Sequence, residues 1–195
     1  MIKSFDFYFD FASPYAFLAH KQIRKVEMKN SMKVNYMPVL LRGLLKLADI
    51  KANVDVPIKA KYMIRDCKLC AEKNEIKFKF NSYFPIMTLN LMRCAIIAES
   101  KGFEQIFINK IFDSIWEYGL NLNDNQVIEK ILKNLNINPE NFLTEVTEQK
   151  NKDELKKRTN TAYHKGIFGL PSFIVNKKLF WGQDRLSFAL AEANK

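Results

Sequence analysis

The stretch Phe5-Asp6-Phe7-Tyr8-Phe9-Asp10-Phe11-Ala12-Ser13-Pro14-Tyr15-Ala16 decides how the rest of the chain is read. Phe5, Phe7, Phe9 and Phe11 alternate with Asp6, Tyr8 and Asp10, the period-2 pattern of a strand. A Ser-Pro pair then ends the alternation. Serine is a favoured N-cap and proline suits the first helical position, so Ser13 is predicted to stand where the strand hands over to a helix. Four orphan amides and the positive end of the helix dipole meet at such a point, which makes it an anion site. Capping alone would account for the serine; the rest of the sequence gives it more to do.

Outward from this junction, a helix is predicted from Pro14 to about Met28, with Ala16, Ala19, Ile23 and Val26 on one face. A second strand follows from Lys33 to Val39. From Leu41 to about Lys165 the periodicity is helical. Segments are expected at Pro57 to Asn74, Thr88 to Lys101, Phe103 to Tyr118, Asp124 to Leu135, and Pro139 to about Tyr163. Asp124 and the pair Asn138-Pro139 mark two starts, and Gly166 marks a stop. Strand chemistry returns at Ser172–Val175 and Lys178–Trp181, which flank Asn176-Lys177 as a hairpin. A last helix is expected from Asp184, where Leu186, Ala189, Leu190 and Ala193 share a face. The expected fold is α/β. Residues 1–40 and 166–195 form a discontinuous domain with a small mixed sheet, and residues 41–165 form an inserted all-helical domain.

The totals narrow the function classes. A chain of 195 residues with 48% apolar and 27% charged residues can bury a sizeable core and is ordinary for a globular protein. It has no apolar run of membrane-spanning length and no basic-then-apolar leader, so a cytoplasmic location without a membrane partner is expected. The net charge of +10 is spread along the chain, and Lys156-Lys157-Arg158 is interleaved with Asp153 and Glu154. Without zinc-finger spacing or a basic aromatic platform, this reads as a solvated surface that draws in small anions, not as a nucleic-acid site. Three cysteines fit reduced thiols; Cys67 and Cys70 lie inside a helical period, so structural roles are expected and no metal site. His20 and His164 stand apart with no motif beside them, and neither is read as a catalytic base.

Three further places carry chemistry. Pro171 begins a strand, where a missing ladder donor is tolerated only at an edge or junction. Leu170 before it would offer its N–H and C=O to an extended peptide. Asp184 at the start of the last helix is either an N-cap or an acceptor for an α-amino group, with Arg185 and the helix amides on an α-carboxylate. Lys59 and Asn53 lie near the start of the helical insert and could hold a second carboxylate.

Six motifs in order are familiar: Phe9-Asp10-Phe11-Ala12-Ser13-Pro14-Tyr15, Pro38-Val39-Leu40-Leu41, Lys59-Ala60-Lys61-Tyr62 with Asp66, Phe84-Pro85, Gly166-Ile167-Phe168-Gly169-Leu170-Pro171, and Phe180-Trp181-Gly182-Gln183-Asp184-Arg185. Together they resemble the 2-hydroxychromene-2-carboxylate isomerases, relatives of kappa-class glutathione transferases within the DsbA-like thioredoxin superfamily. The resemblance implies a thioredoxin-like fold, a cis Pro171 facing the first helix, a homodimer, and glutathione as cofactor. It implies that Ser13 lies against the glutathione sulfur and that Leu170 pairs with the cysteinyl backbone. Asp184 would bind the γ-glutamyl part, with Lys59 and Asn53 toward the glycyl end. Two departures fall elsewhere: Met87 stands where the family often has Asn, and Leu69-Cys70 replaces an Arg-aromatic pair. The second substrate, a conjugated or electrophilic small molecule, is therefore less defined than the cofactor.

Ser13-Pro14-Tyr15-Ala16 occupies the four positions of a Cys-x-x-Cys site with neither cysteine, which excludes dithiol redox chemistry there. A thiol has to come from a ligand. The function expected is a glutathione-dependent isomerase in which Ser13 stabilises the thiolate. The alternatives are a kappa-like transferase or peroxidase, and a non-catalytic thioredoxin-like peptide-binding module.

Overall fold

The computed structural model describes residues 3–29 and 32–195. Strand β1, Ser4–Phe9, is flanked on one side by β2, Lys33–Pro38, and on the other by β3, Ser172–Val175, with β4, Lys178–Trp181, outermost. The β1–β2 pair is parallel and aligns Phe9 with Pro38; β3 runs antiparallel to β1 and aligns Phe173 with Phe7. A parallel pair needs a crossover, and helix α1, Pro14–Met28, supplies it. The fold is the thioredoxin-like α/β arrangement, a mixed four-stranded sheet with helices packed against it.

Both faces of β1 are covered, so its alternation separates two buried sides instead of core from solvent. Phe5, Phe7 and Phe9 lie on one side, where Phe7 stacks on Phe173 at 5.7 Å and Phe9 meets Phe112 at 5.6 Å. Tyr8 lies on the other, packed with Val39, Leu44, Ala162, Ile167 and Leu170. Each such buried side chain contributes about 1.5–3 kcal/mol.

Between β2 and β3 come α2 (Leu41–Leu47), a 3₁₀ turn (Asn53–Asp55), α3 (Pro57–Lys73), α4 (Leu89–Ser100), α5 (Glu104–Trp116), α6 (Asn125–Asn134), α7 (Pro139–Thr147) and α8 (Gln149–His164). Their apolar faces join the sheet side chains in one continuous core that runs from Phe5 and Phe17 to Trp116 and Leu155. The helix expected from Pro139 to Tyr163 is two helices. Extended backbone at Glu148 breaks it, and the Asn151 side chain donates to the Glu145 carbonyl at 2.8 Å, satisfying the end of α7. Gly166 ends α8 as expected: at φ +84° it lets Ile167 N–H reach the Ala162 carbonyl at 3.1 Å. The hairpin turn Asn176-Lys177 has both φ angles positive, the type I′ geometry that matches strand twist. The last helix differs from expectation. Gln183–Arg185 form a 3₁₀ turn, and α9 covers only Leu186–Ala193. Among the described residues no helix is long and apolar enough to cross a membrane.

His20 lies wholly inside the core, stacked on Phe112 at 5.0 Å and edge-on to Tyr36 at 5.7 Å. Burial pushes its pKa down to about 3. A folded-state value below the ordinary ~6.5 means that the unfolded chain binds the extra proton, so stability falls as pH drops below that value. Urea midpoints should show a loss of about 2 kcal/mol between pH 7 and pH 5 from this group. A His20→Leu variant should flatten that part of the pH profile.

Candidate active site

The segment from Asp10 to Ser13, between β1 and α1, is fastened at almost every polar group. Trp116 Nε1 donates to the Phe11 carbonyl at 2.8 Å, and Phe11 N–H points at the Met92 sulfur at 3.5 Å. Ser13 N–H donates to the Asp10 carbonyl at 3.0 Å, and Ala12 N–H to the Asp10 carboxylate at 2.9 Å. Asp10 also receives Leu41 N–H at 2.8 Å and the Thr88 hydroxyl at 2.7 Å. Burial raises its carboxyl pKa, and these three donors offset that only in part.

The open end of α1 has a shorter list of free donors than the four suggested by a generic helix terminus. Ser13 N–H is taken by Asp10, and Pro14 has no N–H. Ala16 N–H donates to the Ser13 hydroxyl at 3.1 Å, the N-cap bond expected. Tyr15 N–H alone is left without a partner. The Ser13 hydroxyl in turn donates to the Leu170 carbonyl at 3.3 Å, long against the usual ~2.7–2.8 Å for such a bond, so its proton is lightly held.

Leu170 comes from the facing segment, and the Leu170–Pro171 peptide is cis, as the resemblance implied. The expectation that both polar groups of Leu170 are free needs correction. Its carbonyl is turned onto Ser13, because Ser13 must place its donor somewhere once its oxygen caps the helix; only the N–H is unpaired. Next to it, Ser172 holds the Gly169 carbonyl at 2.7 Å, and Trp181 lies against Gly169 and Phe168.

One cleft of about 1490 Å³ gathers all the residues singled out from sequence: Ser13, Leu170, Pro171, Asp184, Arg185, Lys59 and Asn53. Ser13 is nearly covered, at 4% exposure, yet it lines the cleft wall. Lys59 and Asn53 are exposed on the rim, and neither side chain is committed to a partner. Asp184 is not a cap. It sits in the 3₁₀ turn with its carboxylate 3.5 Å from Arg185, and Arg185 also lies over the Phe188 ring at 5.5 Å. The turn forms there because Gly182, at φ +111°, redirects the chain before α9 can start.

Several cleft residues carried no role in the sequence reading. Tyr15 donates to Asp66 at 2.7 Å, and burial together with that carboxylate pushes the phenol pKa far up, so Tyr15 remains a donor. Cys70 lies on the cleft wall with Gln183 Nε2 donating to its sulfur at 3.2 Å. Burial and the nearby Asp66 and Asp184 charges raise its pKa. Burial also pushes Cys94 up to about 12, and Cys67 is fully covered. All three thiols are free, and their raised pKa values keep them protonated at neutral pH. Asp10 had no readable signal: the period-2 pattern puts it on the same face as Asp6, and only the assembled structure covers it.

A match to the DSBA-like thioredoxin domain family spans residues 4–193. The chain is 27% identical over 190 residues to "2-hydroxychromene-2-carboxylate isomerase" of Sphingobium xenophagum, covering 96% of each protein. It is 20% identical to "Glutathione S-transferase kappa 1" of Rattus norvegicus over 93% of this chain and 86% of that one. Among solved structures, a 2-hydroxychromene-2-carboxylate isomerase superposes with a TM-score of 0.87 at 20% identity, covering 96% of this chain and 93% of the other.

Gly169 fixes the rim beside Leu170. A Cβ at that position would lie 2.6 Å from the Trp181 indole nitrogen, so the half-exposed indole has to move. Gly169→Ala should therefore cost only about 1 kcal/mol of stability, because a surface ring can swing out. Tryptophan emission should shift, since one of the two tryptophans, Trp181, changes environment.

Proposed function

The chain belongs to the DSBA-like thioredoxin family, and on that premise we propose that it is a glutathione-dependent isomerase of the 2-hydroxychromene-2-carboxylate isomerase type. One observation carries the proposal. The open end of α1 lines a cleft with the Ser13 hydroxyl, held only by a long 3.3 Å bond to the Leu170 carbonyl, and with Tyr15, whose N–H has no partner, and it has no thiol of its own in the four positions that hold one in a dithiol site. Such an end is built for a sulfur that arrives with a ligand.

The residues present suit glutathione. Leu170 N–H is an unpaired donor at the place where a cysteinyl backbone would lie, and a buried unpaired amide costs free energy until something accepts from it. Asp184 offers a carboxylate to the γ-glutamyl amine, Arg185 a cation to the neighbouring carboxylate, and Lys59 with Asn53 uncommitted groups to the glycyl end. The cleft is larger than a tripeptide needs, and part of its remaining wall is apolar, with Leu41, Leu45, Ile50, Ile86 and Leu89 beside the cations Arg42 and Lys51. That wall suits an apolar second substrate.

When bound, glutathione supplies a nucleophilic sulfur for reversible addition to a conjugated carbonyl compound. The task of the protein is to keep that sulfur ionised. A thiol of pKa ~8.5 lowered by about two units requires roughly 2.7 kcal/mol of preferential stabilisation. A helix terminus provides up to ~2 kcal/mol and a hydrogen bond to a charged group about 1.5–3 kcal/mol, so Ser13 and the end of α1 suffice together. The lightly held proton of Ser13 turns from the Leu170 carbonyl to the sulfur. Ser13 stabilises a charge and forms no covalent bond.

A transferase reading shares all of these residues and is favoured by the likeness to a kappa-class transferase. The two separate on product: an isomerised compound with glutathione regained, or a conjugate.

Millimolar glutathione should raise the melting temperature of the protein. Thiolate absorbance near 240 nm should appear in the complex at pH 7. Ser13→Ala should retain binding within a few-fold, lose most of that absorbance, and lower turnover about 10²-fold, as removal of one charge-stabilising donor does. Absence of any thermal shift would exclude glutathione as the cofactor.

A further inference from the structure

Three helix starts converge on one buried side chain. Asp10, at 1% exposure, accepts from Ala12 at the entry to α1, from Leu41 at the first residue of α2, and from Thr88 just before α4. Neither α2 nor α4 has a cap of its own. Leu40 precedes α2 and has no side-chain acceptor, and the Thr88 hydroxyl before α4 is spent on Asp10. A carboxylate is the favoured partner for orphan amides and for the positive ends of helices. Asp10 thus accepts the first amide of α2 and ties that helix start to the entry of α1 and to the residue before α4.

Two of the stretches tied together, after Leu41 and around Thr88, line the cleft beyond Ser13. After Leu41 come Leu45 and Ile50; around Thr88 stand Ile86, Met87 and Leu89. Asn123 holds the second of these from behind, accepting from Met87 N–H at 2.8 Å. We propose that Asp10 is a positioning residue that sets the apolar wing of the cleft relative to Ser13, and so determines how an apolar second substrate fits. It rests on the reading of this cleft as an active site. The Ser13 hydroxyl, Leu170, Asp184 and Lys59 share no hydrogen bond with the Asp10 carboxylate; its one link toward Ser13 is Ala12 N–H, while Ser13 keeps its own bonds to Ala16 N–H and the Leu170 carbonyl, so the loss should fall mainly on the wing.

Asp10→Asn keeps the shape but turns an amide donor toward one of three donors; Thr88→Val removes one donor and leaves the carboxylate. Wing binding is read without glutathione by the fluorescence of 8-anilinonaphthalene-1-sulfonate, an apolar anionic dye. Cofactor binding is read separately by the glutathione-induced thermal shift. We expect dye affinity to fall about tenfold in Asp10→Asn and less in Thr88→Val, with the double variant no worse than Asp10→Asn because both act through one contact. Amide exchange should quicken in residues 41–47 and 83–88 and stay unchanged in α5. Glutathione affinity should hold within about twofold. Dye binding that survives in folded variants, or a parallel loss of dye and glutathione binding, would overturn the proposal. Should Asp10→Asn not fold, Thr88→Val decides by the same two readings. Should the unmodified protein show no glutathione shift, the cofactor reading falls, and the dye and exchange comparisons still decide the role of Asp10.

Discussion

β1 holds the site in place because it is covered on both faces. A strand with one wet face can slip or fray at its end; one with Phe7 and Phe9 locked among Phe173, Tyr36 and Phe112 on one side, and Tyr8 among Val39, Leu44 and Leu170 on the other, cannot move without opening the core. The chain leaves this strand straight into the segment 10–13, and the Trp116 indole pins that segment from the helical side. Helix α1 therefore begins at a fixed point, with its cap facing Leu170.

The buried charge beneath that point follows from the same packing. Layers of helix on both sides of β1 bring the starts of α2 and α4 to its end, where orphan amides and a hydroxyl need an acceptor. Asp10 supplies it for all of them. An apolar residue would leave those donors unsatisfied in a dry environment, which costs about 1–3 kcal/mol for each. Around the junction of β1 and α1, the backbone donors that remain free are Tyr15 N–H and Leu170 N–H, and both residues line the cleft.

Thioredoxin-like folds are used for many reactions, and the fold alone does not select one. Selection here comes from the four residues Ser13-Pro14-Tyr15-Ala16. With hydroxyl and methyl in place of two thiols, the helix end has no sulfur of its own to exchange. Cys67 and Cys70 do not restore that chemistry, since they lie mid-helix in α3 with raised pKa values and not at a helix start.

Much of this was legible in the chain itself. Period-2 aromatics, Ser-Pro, the hairpin around Asn176-Lys177 and the Gly166 stop are local signals, because capping, turn handedness and face alternation depend on neighbours a few residues away. The motif order also pointed to six of the seven cleft residues, from Ser13 to Arg185, with Asn53 outside the motifs. Long-range packing decided the rest. Whether Asp10 was surface or core, how many amides at α1 stayed free, where the Leu170 carbonyl pointed, and whether Asp184 capped a helix all depended on groups tens of residues away. Spacing describes which side chains share a face; only the assembled core determines which donors have already found an acceptor.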